Sequence, residues 1–153
     1  ILGVQADVIE GDVLWNKAGI THRKTVSQAA TLGHGYVVIN CEADMSPKEI
    51  AGHEAFHCWK KSNCREEFVD VLKDNLIFTS KEFVDFQRPI TATYLNDDVD
   101  ITDDEQIEAL YEELFAYIGG RIHAGIYDAQ LRPMFRNYDA VKAAWYELIR
   151  KNR

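Results

Sequence analysis

Apolar residues recur at helical spacing through most of the chain and at strand-like spacing only near its start. Ile107, Leu110, Tyr111, Leu114, Phe115, Ile118 and Ile122 follow one another at three- and four-residue steps, and Val141, Ala144, Trp145 and Leu148 form a second such stripe. Start signals sharpen this reading. Ser46-Pro47-Lys48-Glu49 combines an N-cap serine, a proline at the first helical position and a glutamate three residues after the cap, so a helix is expected from there to about Lys61. Thr102-Asp103-Asp104-Glu105 repeats the device and puts acids where they complement the helix dipole. Further helices are expected from Arg65 to Leu76 and after Ser80, the latter interrupted at Pro89, with an acidic loop at Asn96 to Asp100.

The first 45 residues follow a different pattern. Val4 to Ile9 alternates loosely as a strand does, Val13 to Ala18 reads as a short helix closed by Gly19, and Thr25 to Leu32 and Tyr36 to Asn40 flank Gly33-His34-Gly35 as a hairpin. The expected class is therefore α+β, a small N-terminal β-sheet followed by a mostly helical region, in a single domain spanning 1–153.

Composition narrows the function classes. At 153 residues, 46% hydrophobic and 27% charged, the chain is long enough for one core and too apolar for a disordered segment. No apolar run approaches the roughly 18 residues of a membrane helix. No signal peptide is visible, and the missing initiator Met reads as a processed chain or one cut from a longer protein. A net charge of −8 repels polyanions, so no nucleic-acid partner is expected, and the late bases Arg121, Arg132, Arg136, Lys142, Arg150, Lys151 and Arg153 read as a solvated helical face. Cys41, Cys58 and Cys64 contain no CxxC pair and fit a reducing, cytoplasmic setting.

Against this background His53-Glu54-Ala55-Phe56-His57 stands out as an HExxH sequence inside the capped helix. Residues at i and i+4 project about 40° apart, so both imidazoles can reach one metal ion. Glu54 lies about 100° from His53 and 60° from His57, beside such an ion, where it can accept a proton from a water the metal polarises. Ala55, Phe56 and Trp59 give the opposite face to the core. Two histidines alone are too few protein ligands for a tight catalytic zinc site, so a third must come from elsewhere: Cys41, His123, Glu112 or Glu113.

At this point the chain resembles the zincins, the HExxH zinc metallopeptidases, in which a small sheet precedes the active-site helix. The metzincin extension would need Gly and His where Lys60 and Asn63 stand, which excludes that branch. Peptide deformylases use a cysteine further upstream than Cys41. The gluzincin-like branch remains, in which a glutamate on a later helix completes the site. Glu112-Glu113-Leu114-Phe115-Ala116-Tyr117 is similar to that ligand helix, whose small residue three positions after the ligand lets the two helices pack closely. The chain is also similar to metallopeptidase domains of polyvalent and anti-restriction proteins of phages and conjugative elements, loosely from Tyr36 to Ile122.

The resemblance implies one Zn²⁺ per chain held by His53, His57 and Glu113, with Glu54 as general base in the hydrolysis of peptide bonds. Glu112 competes with Glu113. On spacing alone Glu113→Ala should weaken zinc binding more than about tenfold and Glu112→Ala should change it little. Tyr117 stands where thermolysin-like enzymes have an aspartate, leaving the partner of the first histidine's other nitrogen unassigned. His123, Tyr94, Tyr117 and Tyr127 are open for polarising a substrate carbonyl. The partner expected is a protein or peptide substrate, docked along the hairpin from Thr25 to Asn40, with no membrane. The alternative is a catalytically inactive zincin-like domain that binds a host protein; the intact Glu54 argues against it.

Overall fold

Ser46 and Pro47 open the first helix as their chemistry dictates. Ser46 Oγ accepts the Glu49 amide at 3.2 Å, and Pro47, which has no amide to leave unpaired, takes the first turn. The computed structural model describes residues 5–9, 29–33, 36–40, 45–96 and 103–152. From Met45 onward it forms helices α1 (Pro47–Cys58), α2 (Asn63–Asn75), α3 (Lys81–Asn96), α4 (Asp104–Ala124), α5 (Asp128–Leu131) and α6 (Tyr138–Lys151), with a 3-10 turn at Arg132–Met134.

Upstream, β1 (Gln5–Ile9), β2 (Ala29–Gly33) and β3 (Tyr36–Asn40) run in the order β1-β3-β2, β1 parallel and β2 antiparallel to β3. The expected α+β, zincin-like class nevertheless needs correction. The body formed by 45–96 and 103–152 holds no strand and is 81% helical, so the molecule's described core and its site are all-α. Strand-type pairing among these described residues is an isolated bridge between Leu76 and Phe135. The physical reason is that helices cover the apolar face of α1: Phe56 packs edge-on to Phe68 of α2, and Trp59 lies 5.8 Å from Trp145 of α6. The expected helix at Val13–Ala18, the turn at His34 and most of the acidic loop after Asn96 lie outside the described residues, as do parts of the expected docking hairpin.

Three helix boundaries differ from expectation. α1 stops at Cys58 rather than Lys61, because Ser62 and Asn63 begin the next helix within four residues. α3 runs through Pro89 without a break. Pro89 and Asp85, whose carbonyl the proline cannot satisfy, both lie on the exposed face, so that oxygen is open to solvent. α4 is capped by Asp103, whose Oδ1 accepts the Glu105 amide at 2.9 Å. It ends at Gly125 with φ 78°, a left-handed conformation that glycine adopts without a Cβ clash.

The core is built around Trp145, which is fully buried and meets Phe68 at 5.4 Å as well as Trp59. Room for its indole comes from Gly119, where an added Cβ would lie 2.6 Å from the ring. The neighbouring glycine serves the other side of α4. A Cβ on Gly120 would lie 2.5 Å from the Glu49 carbonyl oxygen, and one on Gly52 would lie 3.0 Å from Gly120 Cα and 2.7 Å from His123 Cβ. α1 and α4 thus cross in near-backbone contact at Gly52 and Gly120, with Ala116 fully buried one turn earlier. This crossing brings a carboxylate on α4 up to imidazoles on α1.

Candidate metal centre

Three side chains meet at the crossing. His53 and His57 come from one face of α1, as i and i+4 residues must, and Glu113 comes from α4. His53 Nε2 lies 3.1 Å from Glu113 Oε1 and 3.2 Å from His57 Nε2, and His57 Nε2 lies 2.9 Å from Glu113 Oε2. Zinc bonds of about 2.0 to 2.2 Å in a tetrahedron separate neighbouring ligand atoms by about 3.3 to 3.6 Å, so side chains gathered this closely need only a slight spreading to surround one small cation. Two imidazole nitrogens and a carboxylate also form a borderline donor set, unlike the all-oxygen shells of Mg²⁺ and Ca²⁺. Among the described residues, His53, His57 and Glu113 are a group that could hold a metal ion.

Glu112, the competing candidate, does something different. Its Oε1 lies 3.0 Å from His57 Nδ1, on the side of the ring away from the cluster. Arg65 of α2 grips the same carboxylate through both terminal nitrogens, at 2.7 and 2.6 Å. Arg65 is itself fixed by donating to the Phe56 carbonyl at 3.1 Å and by stacking 4.3 Å over the Phe56 ring. Glu112 therefore orients His57 with Nε2 turned to the centre, the outer partner a ligating histidine normally has. These contacts of Glu112 with His57 and Arg65 are ones the spacing did not suggest.

Electrostatics follow from the same contacts. Burial alone would lower the His57 pKa, but hydrogen bonds to Glu112 and Glu113 outweigh it and hold the imidazole up to about 9. Burial would raise both glutamates, yet His57 and Arg65 hold Glu112 down to about 2, and His53 and His57 hold Glu113 down to about 2. A pocket with this much carboxylate character favours positive charge at its centre, which the His57 proton supplies and a bound cation would supply in its place.

The remaining candidates are distributed as follows. Glu54 is half-buried, and its charge acts on both His57 and Tyr117, which puts it beside the cluster. The Tyr117 ring packs 4.3 Å from the His53 ring, and burial, with the Glu113, Glu54 and Glu49 charges, raises its pKa. His123 is not part of the group. Its Nδ1 accepts the Trp145 indole N–H at 3.4 Å, and burial lowers its pKa, so it is a packing residue under Gly52. The Glu49 carboxylate raises the Tyr127 phenol's pKa. Cys41, His22 and His34 lie outside the described residues.

The sequence reading missed Arg65 and the outward role of Glu112. Nothing local marks Arg65, because its partners are Phe56 nine residues back and Glu112 forty-seven residues on. Compared with known proteins, the chain shows no significant match to a family model, a curated protein or a solved structure. No helix among the described residues is long and apolar enough to cross a membrane.

Proposed function

We propose that this chain is a zinc-dependent hydrolase of peptide bonds. The observation that carries the reading is the convergence of His53, His57 and Glu113 within ligand spacing, with Glu54 alongside. A catalytic zinc site keeps three protein ligands and leaves a position open, which this donor set permits. A zinc ion held there supplies Lewis acidity that acidifies a water and polarises a carbonyl.

The chain's own residues then divide the work. Glu112 and Arg65 fix the His57 ring. Glu54 takes a proton from the attacking water as its oxygen bonds to the scissile carbon, then passes that proton to the amine nitrogen as the C–N bond breaks. Tyr117, whose ring packs 4.3 Å from the His53 ring, is the donor assigned to the carbonyl oxygen, since Trp145 engages His123.

The test has two parts. Purified protein dialysed without chelator should carry about one zinc per chain, and His53→Ala should carry almost none. Glu54→Gln should keep its zinc while hydrolysis of a denatured-protein substrate falls by roughly 10² or more, the scale of a lost general base. Equal trace metal in wild type and His53→Ala would remove the site, and full activity in Glu54→Gln would remove Glu54 from the mechanism.

A further inference from the structure

Glu49 was expected to close a capping box by reaching back over the start of α1. It does not. Its amide meets Ser46, but its carboxylate is turned inward, leaving the residue 3% exposed. Buried side-chain polar atoms without a hydrogen-bond partner among the described residues are Glu49 Oε1, His53 Nδ1 and Arg121 Nε. Two of these belong to one helical turn. Glu49 and His53 are i and i+4 on α1, side by side along the helix. Both border the same glycine: a Cβ on Gly120 would lie 2.5 Å from the Glu49 carbonyl oxygen and 3.2 Å from His53 Cβ.

We propose that Glu49 is the positioning residue for His53, its carboxylate accepting the Nδ1–H bond when Nε2 is given to the metal ion. The inference rests on the metal-centre reading of His53, His57 and Glu113. A neutral imidazole that donates its Nε2 lone pair carries its proton on Nδ1, so that atom becomes a donor in need of an acceptor. A carboxylate oxygen buried without a donor is destabilising, so Glu49 needs a donor as much as His53 needs an acceptor. The site then has supports on both sides: Arg65–Glu112 behind His57 and Glu49 behind His53.

The experiment uses zinc affinity, measured by competition with a chromophoric chelator, and the proton spectrum of the Co²⁺-loaded protein. There each ligating imidazole gives a strongly shifted, exchangeable N–H signal. Wild type should show two such signals. Glu49→Ala should lose the His53 signal to solvent exchange, keep the His57 signal, and bind zinc roughly 10- to 100-fold more weakly. Glu49→Gln still offers an oxygen acceptor, so it should recover most of the affinity and show the His53 signal at a changed shift. Glu49→Ala with both signals and an affinity within about twofold of wild type would overturn the proposal. If Glu49→Ala does not fold, Glu49→Gln decides alone, because an unmoved His53 signal rules Glu49 out. Wild type that takes up neither Zn²⁺ nor Co²⁺ would overturn the metal centre itself, and this proposal with it.

Discussion

Glu112 and Glu113 are adjacent in sequence and serve opposite sides of one imidazole. Glu113 faces the Nε2 atoms of His53 and His57, whereas Glu112 reaches His57 Nδ1 and is clamped by Arg65. Both substitutions should therefore weaken zinc binding, for different reasons. Glu113→Ala removes a ligand, so affinity should fall more than about tenfold and the Co²⁺ absorption spectrum should report a changed coordination. Glu112→Ala should cost roughly 10- to 100-fold with the ligand set intact, because His57 loses its orientation. Arg65 acts through Glu112, so Arg65→Ala combined with Glu112→Ala should be little worse than Glu112→Ala alone. Additive losses in a chelator competition would show that Arg65 acts independently.

At the level of elements, the decisive feature is how closely α1 and α4 approach. Gly52 and Gly120 let their backbones nearly touch, and a methyl at Gly120 would press into the Glu49 carbonyl, which cannot swing aside as a side chain can. Gly120→Ala should lower stability by about 1–3 kcal/mol, the usual range for overpacking, and weaken zinc binding as Glu113 is pushed away from α1. Gly125→Ala is the control. It too is strained, since φ is 78°, but nothing lies within 4 Å of the added methyl. It should cost about 1 kcal/mol and leave zinc affinity unchanged. Thermal unfolding and zinc titration of the two variants separate helix approach from simple loss of stability.

Across the whole molecule, the centre joins α1 to α4, and Arg65 ties α2 to both. A ligand that binds only the folded chain stabilises it by mass action, about 2.7 kcal/mol at a free concentration one hundred times its Kd. Removing the metal with a strong chelator should lower the melting temperature, and restoring Zn²⁺ should raise it again. His53→Ala, which lacks a ligand, should melt at the same temperature with and without Zn²⁺. A zinc-dependent shift that survives in His53→Ala would mean that the ion stabilises the fold from somewhere else.

The sequence by itself determined what is local. Ser46, Pro47 and the apolar stripes were enough to locate α1, α4 and α6, because caps and periodicity act within a few residues. The HExxH spacing alone put His53 and His57 on one face, since helix geometry fixes the angle between i and i+4. Tertiary structure decided the rest. The all-α body, the continuous helix through Pro89 and the inward turn of Glu49 depend on which faces other helices cover and which meet water. Local spacing to Ala116 favoured Glu113 over Glu112, but the recruitment of Arg65 and the contact of Glu112 with His57 Nδ1 could not be read locally. A rotation of α4 by one residue, about 100°, would bring Glu112 to where Glu113 stands, and that rotation is set by Gly120 against α1 and Gly119 against Trp145.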